Sequence, residues 1–121
     1  MPFSNSSPVD PESLQSLRDI TPGDPGFLNE IITLFLEDTP ARIAEISDCL
    51  AKGDGPTLTR AAHSLKGSSS NFGAEAFRLL AEKIEGMGKQ GDFASIPPAL
   101  EELKAEYERV KAALQEELKK P

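Results

Sequence analysis

The sequence predicts an all-α fold, an antiparallel up-down-up-down four-helix bundle with a short extra N-terminal helix. Apolar residues recur at spacings of three and four through four long segments, the period of helices that bury one face. The breaks between those segments are short and punctuated by glycine, so consecutive helices turn back on one another. No stretch shows the strict alternation of a half-buried strand.

Taken in order, residues 1–9 are rich in Ser and Pro and read as a flexible arm ahead of a bundle domain over 10–118, with 119–121 as a tail. Asp10-Pro11-Glu12 supplies an N-cap, a proline for the first helical position and a first-turn acid, opening a short helix to about Asp19. Thr21-Pro22-Gly23-Asp24-Pro25-Gly26 is a turn cluster. The stripe Leu28, Ile32, Phe35, Thr39, Ile43, Ile46 and Leu50 then predicts a helix over 26–52. Pro40 falls inside it, yet the stripe keeps its phase, so one kinked helix is preferred to two. Leu58, Ala62, Leu65, Ser69 and Phe72 predict the next helix over 56–71, with Gly73 as a left-handed stop. Phe77, Leu80, Ala81, Ile84 and Met87 predict a third over 74–87, broken at Gly86-Met87-Gly88 and Gly91. Ile96, Leu100, Leu103, Tyr107, Val110 and Leu114 predict a fourth over 94–118, with Pro97-Pro98 tolerated in its first turn.

The chain of 121 residues has the size of one domain, and 38% apolar with 27% charged residues is the balance of a soluble globular protein. Its net charge of −7 argues against nucleic-acid binding, because polyanions would be repelled. No apolar run approaches the roughly 20 residues of a membrane span. The N-terminus has neither the basic nor the apolar region of a signal peptide. A single cysteine, Cys49, permits no internal disulfide and fits a cytoplasmic location; beside Leu50, it is expected to be partly buried packing. One His with one Cys argues against structural zinc.

That one histidine, His63, carries most of the functional information. Projected at about 100° per residue, the apolar stripe of its helix lies about 180–260° away, while Arg60, Lys66, Gly67 and Ser70 fall within about 60° of it. The imidazole therefore faces away from the core. From Gly55 to Ala74 there is no Asp or Glu, the longest acid-free run in a chain with 20 acidic residues. An exposed imidazole in such a patch suits a group that receives or carries an anion, and a phosphoryl group is the natural candidate. Lys66 could neutralise phosphate oxygens. Gly67 costs about 1 kcal/mol relative to alanine and leaves room for a partner to close over the ring. An ordinary imidazole titrates near about 6.5, so at pH 7 and above one ring nitrogen offers a lone pair to phosphorus. The other nitrogen needs an acceptor, for which a carboxylate or amide on the neighbouring helix would serve.

The run H-S-L-K-G-S-S-S-N-F-G-A, His63 to Ala74, resembles the signature of the histidine-containing phosphotransfer (HPt) domain of bacterial and eukaryotic phosphorelays. Ala61-Ala62 before it, Leu80 with Ile84-Glu85 after it, and Phe27 to Pro40 upstream fit the same pattern, which spans roughly residues 10–118. The resemblance implies that His63 accepts phosphate at Nε2, that Lys66 contacts the phosphoryl oxygens and that Gly67 keeps the ring accessible. Glu85 occupies the position of a Gln or Glu that accepts a hydrogen bond from the imidazole in many members. Ser68 and Ser69 match small residues of the family, Ser69 lying on the core seam. Ser70 is either a hydrogen-bond donor to phosphate or simply solvated. Arg78 and Lys83 are read as solvated surface.

The implied function is that of a phosphorelay intermediate, taking phosphate from the aspartyl phosphate of one receiver domain and passing it to another. Implied partners are response-regulator receiver domains and a sensor or hybrid histidine kinase, with the chain acting as a monomer. Mg²⁺ is expected on the receiver alone, with no cofactor or metal on this chain. No Gly-rich phosphate loop is present, so kinase activity is not expected. Met1 and the arm point to a free-standing protein. A phosphoacceptor domain cut from a hybrid or chemotaxis-type kinase, and a phosphate-independent adaptor, are the alternatives.

Overall fold

The computed structural model describes residues 7–20, 22–24 and 26–119. Five helices follow in order: α1 (Pro11–Ile20), α2 (Gly26–Lys52), α3 (Gly55–Ser70), α4 (Glu75–Gln90) and α5 (Ile96–Leu118). A single 3₁₀ turn, Phe93–Ser95, leads into α5. Among the described residues there is no strand. The all-α class read from the sequence is the class of the structure.

Short connections force neighbours together: α2 packs on α3, α3 on α4 and α4 on α5, and α5 closes the ring against α2. Gly88, near the end of α4, lies against Leu58 and Thr59, near the start of α3, which sets the two helices antiparallel. The anticipated stripes of α3 and α5 are buried throughout, from Leu58 to Phe72 and from Ile96 to Leu114. In α2 the stripe holds as far as Ile46 and then shifts by one position, so that Cys49 is buried and Leu50 only half-buried. Phe35 of α2 meets Phe72, Phe77 and Tyr107 at ring-centroid separations of 5.2, 5.9 and 6.2 Å, so one aromatic contact group ties α2 to the α3–α4 turn, α4 and α5. Edge-on and tilted rings of this kind add to the area they bury.

Two expectations are corrected. The third long helix does not break at Gly86-Met87-Gly88; α4 runs through both glycines to Gln90 and stops at Gly91, which has φ +73°. A Cβ at position 88 would lie 2.5 Å from Thr59 Oγ1 and 3.0 Å from Leu58 Cδ2. Glycine there permits close approach of α3 and α4, and that packing outweighs its poor helix propensity of about 1 kcal/mol. Val9, placed in the expected arm, is instead buried in the core, and next to it Asp10 N–H donates to the Phe72 carbonyl at 2.8 Å. Residues 1–6 of the expected arm, Thr21 and Pro25 of the turn cluster, and residues 120–121 of the tail lie outside the described residues. Gly73 has φ +60°, the left-handed stop anticipated after α3, and a Cβ on it would strike Asp10 Cβ at 2.4 Å. The same glycine therefore ends α3 and seats the start of α1.

α2 continues across Pro40 as one helix. Proline has no N–H, so the Leu36 carbonyl four residues back loses its intrahelical donor. Tyr107 of α5 replaces it, its hydroxyl donating to the Leu36 carbonyl at 3.2 Å. Burial, with a smaller push from Glu108, moves the Tyr107 phenol up and keeps it a neutral donor. Removing the hydroxyl in Tyr107→Phe should cost about 1–2 kcal/mol in urea unfolding, the cost of an unsatisfied part-buried carbonyl. In a Pro40→Ala background the restored N–H takes the carbonyl, and the cost of Tyr107→Phe should fall to a few tenths of a kcal/mol, roughly the spread of independent sites. Equal costs in both backgrounds would disprove the substitution of one donor by the other.

Candidate functional site

α3 is started by Asp54, whose carboxylate accepts the Thr57 N–H at 3.2 Å, followed by Pro56 in the first turn. Hydrogen bonds from Thr57 hold the Asp54 carboxyl below the usual carboxylate range. With Leu58, Ala62, Leu65 and Ser69 fixed in the core, the helical repeat turns His63 outward, and its side chain is 66% exposed.

Opposite it on α4, Glu85 is buried, at 6% exposure. Its Oε2 lies 2.8 Å from His63 Nδ1, and its Oε1 lies 2.8 Å from Lys66 Nζ. Lys89, one turn further along α4, brings its ammonium to 3.7 Å from Oε2. Burial by itself pushes the Glu85 carboxyl up, but the hydrogen bonds and charges of Lys66 and His63 outweigh it and hold the group below the ordinary range. The carboxylate is therefore ionised at neutral pH and can only accept hydrogen bonds. It follows that Nδ1 carries the ring proton, and that the neutral imidazole keeps its lone pair on Nε2. A buried carboxylate thus orients the ring and leaves the free lone pair on the edge away from itself.

Of the residues singled out in the sequence, the structure brings His63, Lys66 and Glu85 together. Lys66 is only 25% exposed, its charge already committed to Glu85. Gly67 is exposed, and a Cβ built on it meets nothing within 4 Å, so the glycine is not needed for packing inside the chain. Ser70 is not drawn into the cluster: its hydroxyl donates to the Lys66 carbonyl at 3.0 Å. Ser69 makes the same bond at 3.0 Å from the core side, and Ser68 donates to the Leu65 carbonyl. Arg60 is exposed and reaches the Thr57 hydroxyl, Arg78 pairs with Glu75 and Glu82, and Lys83 is exposed.

Lys89 was missed by sequence reasoning. Its signal is a Glu-to-Lys pair at i,i+4 from Glu85, readable only if α4 continues past Gly88. Among the described residues no group of three or more His, Cys, Asp or Glu side chains is gathered as a metal site, and no helix is long and apolar enough to cross a membrane.

Comparison with known proteins identifies the family. The chain is 28% identical over 106 residues to histidine-containing phosphotransfer protein 2 of Arabidopsis thaliana, covering 85% of this chain and 67% of that protein. It is 29% identical over 94 residues to a phosphorelay intermediate protein of Dictyostelium discoideum, covering 78% of this chain but only 37% of that one. The crystal structure of histidine-containing phosphotransfer protein B from Pseudomonas aeruginosa superposes with a TM-score of 0.86 over 94% of this chain and 96% of that one; at 24% identity this likeness speaks for the fold. The family model of the Hpt domain matches residues 30–113, which contain His63, Lys66, Gly67 and Glu85, and the chain belongs to the Hpt domain family.

Proposed function

We propose that the chain is a phosphorelay carrier that takes a phosphoryl group onto His63 Nε2 from the aspartyl phosphate of one receiver domain and yields it to the aspartate of another. The observation that carries this reading is the 2.8 Å contact of Nδ1 with ionised Glu85, which leaves the Nε2 lone pair on an exposed ring. Membership of the Hpt family supports it.

In the transfer, Nε2 attacks phosphorus in line, the N–P bond forms as the P–O bond to the receiver aspartate breaks, and that electron pair returns to the aspartate carboxylate. The ring becomes an imidazolium that keeps its Nδ1 proton, and the negative charge of Glu85 stabilises that cation. Such transfers depend on positioning and charge stabilisation rather than on covalent help from the protein. The receiver supplies the acidic pocket and Mg²⁺; this chain supplies the nucleophile, the Lys66 ammonium and the clearance at Gly67. Reversal needs no further group, since Nδ1 and Glu85 hold the same contact in both directions. Without its partner the chain has no catalytic activity of its own.

Incubation with a phosphorylated receiver should place an acid-labile, base-stable phosphate on the wild-type chain and none on His63→Gln; equal labelling of the variant refutes the assignment. Lys66→Ala should slow transfer about ten- to a hundredfold, the worth of one charge-assisted contact of roughly 1.5–3 kcal/mol, with an unchanged helical circular dichroism spectrum. An unaltered rate removes Lys66 from the site. Gly67→Gln should raise stability by up to about 1 kcal/mol while slowing transfer, because the helix gains and the approaching receiver is obstructed. A faster or unchanged transfer rate would show that clearance at this position is not used.

A further inference from the structure

The contacts of Glu85 raise a charge-balance problem that the phosphoacceptor reading alone leaves unsolved. Lys66 is the cation assigned to the phosphoryl oxygens in that reading, yet its ammonium is 2.8 Å from Glu85 Oε1 and its side chain is three-quarters buried. A phosphoryl group on Nε2 brings nearly two negative charges at neutral pH. Lys66 must then divide its donors or leave Glu85 for the phosphate. Glu85 is 6% exposed, and a carboxylate this buried is strongly destabilised when it loses its paired cation. Among the described residues the cationic or ionisable nitrogens within 4 Å of its oxygens belong to His63, Lys66 and Lys89. Lys89 is 65% exposed and stands 3.7 Å from Oε2, beyond direct hydrogen-bond range but within reach of a small rotamer change. It also sits at i+4 from the glutamate, the favourable orientation for such a pair on a helix.

Resting on the phosphoacceptor reading above, we infer that Lys89 is a positioning residue of the phosphorylated state: it closes onto Glu85 as Lys66 turns to the phosphoryl oxygens. Lys89 touches neither phosphate nor receiver in this scheme. It acts through Glu85, keeping the carboxylate ionised and the Nδ1 contact intact while the ring carries phosphate. Its contribution is therefore larger in the phosphorylated chain than in the free one.

The test equilibrates the full chain with a phosphorylated receiver and reads the fraction of phosphohistidine in the parent, Lys89→Gln, Lys89→Arg, Glu85→Gln and the Glu85→Gln/Lys89→Gln pair. Lys89→Gln should lower the phosphohistidine-to-phosphoaspartate ratio about two- to fivefold, the range of a partly exposed ion pair, and Lys89→Arg should restore it. In the Glu85→Gln background there is no carboxylate to neutralise, and Lys89→Gln should have no effect. The same ordering should appear when phosphoramidate replaces the receiver as donor and the phosphohistidine yield is read by intact mass. An effect of Lys89→Gln that persists in Glu85→Gln would put Lys89 directly on the phosphate or the receiver, and one that vanishes with phosphoramidate would assign it to receiver docking; either result would overturn the inference. So would an unaffected Lys89→Gln in a parent that is labelled. A parent that takes no label from the receiver overturns the phosphoacceptor reading itself, and the inference with it.

Discussion

A carboxylate at 6% exposure must find its charge partners inside the protein, and Glu85 finds them across a helix–helix contact. Desolvation of the ionised group is offset chiefly because an imidazole and an ammonium from α3 reach both of its oxygens at 2.8 Å. That geometry depends on how closely α4 lies against α3. Gly88 sets the approach one turn beyond Glu85, where any Cβ would collide with Thr59 and Leu58. Close packing, a buried acceptor and a fixed tautomer are thus one chain of cause. Widening the contact by a methyl group would loosen the imidazole as surely as removing the glutamate.

The rest of the bundle holds that pair of helices in place without touching the chemistry. α2 and α5 flank α3 and α4, joined to them through Phe35, Phe72, Phe77 and Tyr107. The cost of Pro40 within α2 is met from α5, by the Tyr107 hydroxyl on the Leu36 carbonyl. One side chain therefore packs the aromatic group and restores the hydrogen bond that keeps α2 continuous. α1 closes the end of the bundle through Asp10 on Phe72 and the Arg18–Glu117 ion pair, remote from the cluster by position in the fold.

What could be read from the residues was what local periodicity encodes. The outward direction of His63 follows from the buried positions Leu58, Leu65 and Ser69 on the same helix, and Gly73 shows itself as a stop because nothing else tolerates φ +60° so readily. Glu85 was legible through the family pattern. The continuation of α4 was not, because Gly86 and Gly88 look like breakers by propensity, and only the neighbouring helix shows that Gly88 is a packing residue. Lys89 disappeared with it, lying beyond the expected end at 87. The position of Ser70 was hidden for a different reason: a helical serine has a backbone carbonyl within reach one turn back, and the Lys66 carbonyl holds its hydroxyl.

The acid-free run from Gly55 to Ala74 gains a sharper meaning from this geometry. The site is not free of acid; it contains one carboxylate, delivered from α4 and placed behind the ring. Two lysines against that carboxylate leave the neighbourhood with a net positive charge in a chain of net −7. In the proposed transfer, an acid on α3 itself would cancel that charge on the side from which the phosphoryl group comes, whereas an acid behind Nδ1 would stabilise the imidazolium formed on attack. The α3–α4 pairing gives one imidazole two unlike faces, exposed in front and anchored to a carboxylate behind. It is why the charge that matters had to come from a different helix.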